Sequence, residues 1–321
     1  MANLVTPLAI RVAATLRISD HLEAGVQTAP ALAAAAGADP DALERLLRHL
    51  AATKVLRRDE SGRYSLTATG EALRDTHPGG LRTVLDLDAG IGRAELSVAQ
   101  LLHSVRTGEP AFPAQFGHSL WDDLAADPAR AAAFDAQMGA DVTAWAPAVL
   151  SAYDWGSLGH VVDVGGGNGS LLIALLAEHP SLRGTVVELG ATAAAASATF
   201  EAAGVSGRAD AVAGSFFDAL PPGADGYLLT AVLHNWGDQA AGAIVRRCAD
   251  AAGTTGRVFV IEKIGVDGAS PSTEMDLRML AYFAGRERSL AELTALAEGS
   301  GLRVVAVHRA GAISILELAA H

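Results

Sequence analysis

Residues 160–176 read HVVDVGGGNGSLLIALL. A short apolar run enters three successive glycines, and a helix-forming run follows Asn168 and Gly169. Glycine lets a chain turn sharply and lets a ligand approach the backbone, and the first turn of the following helix offers free N–H groups. The glycines at 165, 167 and 169 make a G-x-G-x-G pattern. A dinucleotide-binding loop asks for its third glycine at 170, where this chain has Ser170. The stretch predicts a strand, a ligand-holding loop and a helix, with a spacing that departs from the dinucleotide fingerprint.

Downstream, GTVVEL, ADAVAG, GYLLT and GRVFVIEK alternate with helical stretches, and LRVVAVHR and ISILELA close the chain. This pattern predicts an α/β, Rossmann-like doubly wound sheet. Only a few residues around Gly311 separate the last two runs, a spacing that permits a hairpin, so the sheet is expected to be mixed, with a terminal antiparallel pair. Glu188 ends the second strand, where a carboxylate reaches the ribose hydroxyls of an adenine nucleoside. Gly214, Ser215 and Phe216 follow the third strand, where the adenine ring would lie, and Phe216 offers a ring contact. Asp163, late in the first strand, is a candidate partner for an amino group. No Walker lysine is present, which disfavours a triphosphate. S-adenosyl-L-methionine fits, with its ribose, its adenine and a zwitterionic tail.

The first hundred residues read as helices. Asp39-Pro40 opens one of them, and Leu56 and Tyr64 flank a turn at Ser61-Gly62. Helix-turn-helix followed by a hairpin is a winged-helix pattern, which raises a DNA-binding reading. Residues 1–60 hold seven Lys/Arg and seven Asp/Glu, a poor balance for neutralising phosphates. A dimerisation or lid module is favoured over a transcription regulator. Residues 101–150 read as a helical bridge, so the expected division is 1–100, 101–150 and 151–321.

Half of the 321 residues are hydrophobic and the net charge is −12, which argues for a sizeable core and against nucleic-acid partners. A single cysteine, Cys248, excludes an internal disulfide framework. No apolar run approaches 20 residues and no signal-peptide pattern opens the chain, so a cytoplasmic protein without membrane attachment is expected. No His/Asp cluster has convincing metal spacing, and no metal is expected.

Residues 231–238, AVLHNWGD, pose a question of their own. His234 is either a packed histidine at a strand end or a base facing a ligand. Asn235 is placed to touch substrate or donor, Trp236 to pack beside the loop, and Asp238 to cap the helix that follows. Met138, Met275 and Met279 suit the lining of an aromatic acceptor's pocket, or plain core.

DVGGGNGS, VVELG, GSFFDALP, AVLHNWGD, MDLRML and GRERS, in this order behind a winged-helix-like half, resemble the small-molecule O-methyltransferases, including those that tailor aromatic polyketides in actinobacteria. The likeness spans nearly the whole chain. It implies an S-adenosylmethionine-dependent enzyme that is a homodimer through its N-terminal domain and acts on an aromatic small-molecule acceptor. It makes His234 the general base and Glu287 of GRERS the group that orients it, and it matches Glu317 of SILELA to a second glutamate. Asn235 and Ser215 stand where the family usually has acids, which leaves one adenine contact open. Some relatives lack the histidine and the first glutamate and have drifted to decarboxylation or hydroxylation; this chain keeps both residues.

Overall fold

The computed structural model describes residues 3–265 and 270–321. They form two compact units, Met1–Leu96 with Trp121–Phe134, and Ser97–Leu120 with Asp135–His321. Residues 101–120 and 135–150 belong to the larger unit and 121–134 to the smaller, because the 25-residue helix Pro128–Ala152 runs from one into the other.

In the smaller unit, helices pack around Ile18, Leu32, Leu47 and Leu50, all fully buried. The helix Pro40–Ala52 starts as the sequence predicts, with Asp39 accepting the Ala42 N–H and proline in the first turn. Strands β1 (Leu56–Arg58) and β2 (Tyr64–Leu66) pair antiparallel as the wing. The N-terminal helical run is broken in two, Val5–Thr15 and Ile18–Glu23, by Arg17 in the left-handed region at φ 53°. The Arg17 guanidinium pairs with Asp20 and Asp75, and Thr15 Oγ1 accepts the Leu87 N–H, so tertiary partners hold the break. On the helix that would read DNA, Arg45 and Arg48 are paired with Asp41 and Glu44.

The larger unit contains a seven-stranded sheet made of β3 (His160–Val164), β4 (Arg183–Glu188), β5 (Ala209–Ala213), β6 (Gly226–Thr230), β7 (Arg257–Glu262), β8 (Leu302–Ala310) and β9 (Ile313–Ala320). Their spatial order is β5-β4-β3-β6-β7-β9-β8. The first five pair in parallel, and β9 runs antiparallel to both β7 and β8. The mixed sheet with a terminal hairpin is the one the sequence predicts, and Gly311 turns that hairpin at φ 66°.

Both faces of the inner strands are covered, which is why β3, β6, β7 and β9 read as continuous apolar runs, whereas the edge strand β8 alternates. Val162, Val164, Leu229 and Val260 face a core with the helix Asp238–Ala252. Val161, Val186, Leu228 and Ile261 face the opposite core, with Phe200 and the helices Ser170–Glu178 and Pro128–Ala152. The chain steps from β3 outward to β4 and β5, then returns to β6 and β7 on the other side. That reversal opens a crevice at the carboxyl ends of the parallel strands.

Two glycines of the loop separate conformation from space. Both Gly167 (φ 58°) and Gly169 (φ 80°) are left-handed, but a Cβ on Gly167 would meet open space, whereas one on Gly169 would lie 2.4 Å from the buried Phe200 ring. Gly167→Ala is expected to cost about 1–2 kcal/mol of conformational strain. Gly169→Ala adds overpacking of about 1–3 kcal/mol and is expected to melt at a clearly lower temperature. Equal melting temperatures for the two variants, by thermal denaturation, would contradict this packing.

Candidate active site

The glycine loop leaves β3 with Gly165, Gly167 and Gly169 all at positive φ. Its shape is fixed by neighbouring carboxyl groups. Glu188 Oε1 accepts the Gly167 N–H at 3.2 Å, and Oε2 accepts the N–H of Leu189 at 2.9 Å. Burial pushes Glu188 above its ordinary pKa, against the lowering effect of those two donors. Asp163 lies beneath the loop, 1% exposed, so that a Cβ on Gly166 would collide with its carboxyl group at 2.5 Å. Its Oδ1 is buried without a hydrogen-bond partner. Burial, reinforced by the charge of Glu188, pushes Asp163 up to about 7. A buried acceptor without a donor is costly, and an incoming ammonium group could satisfy this one.

The third side of the crevice is the segment after β5. The Gly214 N–H donates to the Glu188 carbonyl at 2.9 Å, and Ser215 Oγ accepts the N–H of Phe217. The Phe216 ring sits against the glycine loop, within 3.4 Å of where a Gly165 Cβ would be. It also meets Trp236 edge-on at 5.8 Å between centroids, as Phe217 does at 5.0 Å. Val232 completes the contact, 3.1 Å from the same Gly165 position. These rings join the glycine loop to the histidine loop. The left-handed glycines, Glu188, the aromatic Phe216 and the unpartnered Asp163 together fit an adenosyl amino acid.

His234 occupies a short 3₁₀ turn, Leu233–Asn235, just beyond β6. Its Nδ1 lies 3.0 Å from Glu287 Oε1. A carboxylate partner makes Nδ1 the donor and leaves Nε2 with its lone pair. The His234 side chain is 21% exposed while that of Glu287 is 3% exposed, so the ring is not sealed into the core. Burial by itself lowers the basicity of the ring. The hydrogen bond to Glu287 and the charges of Glu262 and Glu287 outweigh it, and the pKa stands above the ordinary 6.5. Glu287 is oriented in turn, its N–H donating to Asp276 Oδ1 at 2.9 Å.

Two residues that the sequence reading passed over hold this turn. Glu262, the last residue of β7, accepts the N–H groups of Leu233 and His234 at 2.7 and 3.2 Å. Arg288 donates to the carbonyls of Leu233 and Trp236 at 2.8 and 2.7 Å. Both were within reach of sequence reasoning, since Glu262 ends the strand beside the histidine strand and Arg288 follows Glu287 in GRERS.

Two expectations are corrected. Glu317 is not brought to His234. In the antiparallel β9 it lies opposite Phe259, three residues back from the carboxyl end of β7, about 10 Å at strand spacing. Its carboxylate meets Arg257 at 3.4 Å and His308 at 3.1 Å instead. Asp238 does not cap its helix: the N-cap is Gly237 without a side-chain cap, and Asp238 pairs with Arg288 at 2.8 Å and with Arg286 at 3.4 Å. Asn235 Nδ2 donates to the Ala231 carbonyl, Met275 and Met279 sit one turn apart on the helix Thr273–Phe283, and Met138 is half-buried on the long helix. Among the described residues, no group of three or more His, Cys, Asp or Glu side chains could hold a metal ion, and no helix is long and apolar enough to cross a membrane.

This geometry agrees with what the chain is similar to. Residues 98–303 match the model of the O-methyltransferase domain, and residues 1–76 match that of the O-methyltransferase dimerisation domain. The chain is 52% identical, over its whole length and 96% of the relative, to 2,7-dihydroxy-5-methyl-1-naphthoate 7-O-methyltransferase of Streptomyces carzinostaticus. It is 42% identical to the aclacinomycin 10-hydroxylase RdmB of Streptomyces purpurascens, over 98% of this chain and 86% of that one. Among solved structures it superposes with a TM-score of 0.95 and 53% identity, covering 100% of this chain and 97% of the other, on the neocarzinostatin O-methyltransferase NcsB1 in complex with S-adenosylmethionine and 2-hydroxy-5-methyl naphthoic acid. With both of its domains matched and its full length shared with such relatives, the chain belongs to the O-methyltransferase family.

Proposed function

We propose that this protein is an S-adenosylmethionine-dependent O-methyltransferase that methylates a hydroxyl of an aromatic polyketide-type acceptor, with His234 as general base. The observation that carries the reading is the 3.0 Å contact of His234 with the buried Glu287, on a ring that remains partly open, next to the glycine crevice. When bound, S-adenosylmethionine supplies an electrophilic methyl group on a positively charged sulfur. The glycine loop and Glu188 hold its adenosyl part, Phe216 contacts the adenine, and Asp163 receives the ammonium group. The naphthoate relative and the naphthoic acid complex support an aromatic acceptor. Met138, Asn235, Met275 and Met279 line its place.

The chain's own groups then manage one proton. A phenolic hydroxyl has a pKa of about 10, so only a small fraction is ionised at neutral pH. His234 Nε2 takes the proton as the oxygen attacks, while Glu287 keeps Nδ1 protonated and stabilises the charged ring. The raised basicity of the ring narrows the gap to the phenol and favours this transfer. The hydroxylase relative favours a second reading, a donor-binding enzyme that tailors without methylating. The intact His234–Glu287 pair speaks for methyl transfer, and the product mass separates the two by gain of a methyl group or of oxygen. We further infer a homodimer through the N-terminal domain, supported by the dimerisation-domain match, and a cytoplasmic location, consistent with a single buried cysteine.

Three measurements test the assignments. His234→Ala is expected to lower kcat by about 10²- to 10⁴-fold while S-adenosylhomocysteine still binds in calorimetry; a fully active variant overturns the base. Because the ring must be unprotonated and its pKa in the ligand-free protein lies above 6.5, kcat/KM is expected to rise with pH through a midpoint above 6.5. Glu287→Gln removes the carboxylate charge that raises that pKa and leaves only a neutral hydrogen bond, so the midpoint moves to lower pH and the plateau falls; an unmoved midpoint contradicts the pairing. Asp163 has an ordinary pKa of 3.8 that rises to about 7 in the fold, so the folded ligand-free chain holds this proton more tightly than the unfolded one. Its contribution to stability therefore declines as pH rises across that window. Ionised Asp163 pairs with an ammonium, so S-adenosylhomocysteine affinity is expected to strengthen as pH rises through about 7. Asp163→Asn is expected to flatten that dependence, and an unchanged profile in the variant rules out the contact.

A further inference from the structure

The histidine turn is held through its main chain as well as through its side chains. It begins at Ala231, a non-glycine residue in the left-handed region at φ 52°, where an L side chain is strained. Such a conformation persists only when its surroundings over-determine it. Here they do so from two directions. On one side, the Leu233 and His234 carbonyls receive N–H groups from Arg288 at 2.8 Å and from the Arg286 main chain at 2.9 Å. Gly285 makes this approach possible, since a Cβ there would lie 2.2 Å from the His234 carbonyl oxygen. On the other side, the two N–H groups that open the 3₁₀ turn both point to a single atom, Glu262 Oε1.

Glu262 suits this task because its own backbone is fixed. It ends the interior strand β7, pairs with Ser314 of β9, and is 4% exposed. The neighbouring Ile261 carbonyl accepts the Ala231 N–H at 3.0 Å, so the sheet and the start of the turn are joined one residue earlier. Burying a carboxylate is costly unless it is hydrogen-bonded and offset by opposite charge. This one has two main-chain donors and the buried Arg288 nearby. An acceptor on a rigid strand, aimed at the backbone of a base, is how a scaffold holds a reacting group to within fractions of an ångström.

We propose that Glu262 is a positioning residue for methyl transfer, acting through the Leu233 and His234 N–H groups to aim the imidazole of His234. The inference rests on the reading of His234 as the base. Glu262 contacts the base's main chain rather than the reacting atoms, so its effect belongs in kcat and not in donor binding. A misplacement of about 1 Å in a reacting group costs up to about 10²-fold.

The test uses three variants of the full-length protein with a naphthoic acid hydroxyl acceptor, together with calorimetry on S-adenosylhomocysteine. Glu262→Ala removes the acceptor and is expected to lower kcat about 10- to 100-fold, with donor-product affinity held within about twofold. Glu262→Gln keeps an oxygen at the same reach without the charge that raises the pKa of His234, and is expected to recover most of that loss above the histidine midpoint while moving that midpoint to lower pH. Glu262→Asp keeps the charge but withdraws the oxygen by one methylene, and is expected to be slower than the glutamine variant. If the alanine variant does not fold, the Gln-against-Asp comparison stands alone. Full activity of the alanine variant, equal losses for alanine and glutamine, or an aspartate variant as fast as the glutamine one each overturns the proposal. His234→Ala, run alongside, keeps the two readings apart. If it is inactive and Glu262→Ala is not, positioning by Glu262 fails while the base stands; if it is active, the base itself fails.

Discussion

The parallel pairing of β3 with β4 and β6 is the constraint on which the rest depends. Parallel strands all finish at one edge, so whatever follows each strand is gathered there whatever its distance along the chain. The glycine loop follows β3, Glu188 ends β4, Phe216 follows β5, His234 follows β6 and Glu262 ends β7. Five segments spread over a hundred residues become one crevice because their strands share a direction. The reversal of strand order beside β3 leaves that edge uncovered, and a ligand can enter there.

The crevice uses carboxyl groups in two different ways. Glu188, Glu262 and Asp276 accept main-chain N–H groups and give the loops their shapes. Glu287 acts on a side chain, and Asp163 is left with an oxygen unpartnered. The first kind fixes the main chain around the crevice, whereas the second does not. Buried Arg288 complements the carboxyl groups, holding the histidine turn by its carbonyls while it pairs with Asp238 at the start of the next helix.

Much of this was legible from residue order. The texture of short apolar runs foretold the doubly wound sheet, and the few residues between its last two strands foretold the antiparallel end. The glycine spacing and the acid at the end of the next strand pointed to one crevice, and the structure brings Glu188 to the glycine loop. Motifs resembling a known family brought His234 and Glu287 together before any coordinates did. The same reasoning misplaced Glu317, since a motif match carries no information on where along an antiparallel strand a residue falls. It also took Asp238 for a helix cap, because local sequence shows a carboxylate near a helix start and not the distant arginines that claim it.

The sequence by itself determined the elements, the direction in which the sheet closes and the chemical types in the crevice, because these follow from local patterns of apolar, glycine and charged residues. Only the tertiary structure decided which carboxylate serves which partner. That choice depends on strand register and on contacts between residues dozens of positions apart, such as Glu262 with the His234 main chain and Glu317 with Arg257. Hydrogen bonds act over about 3 Å, and no spacing along a chain fixes a distance that small until the sheet has set its neighbours side by side.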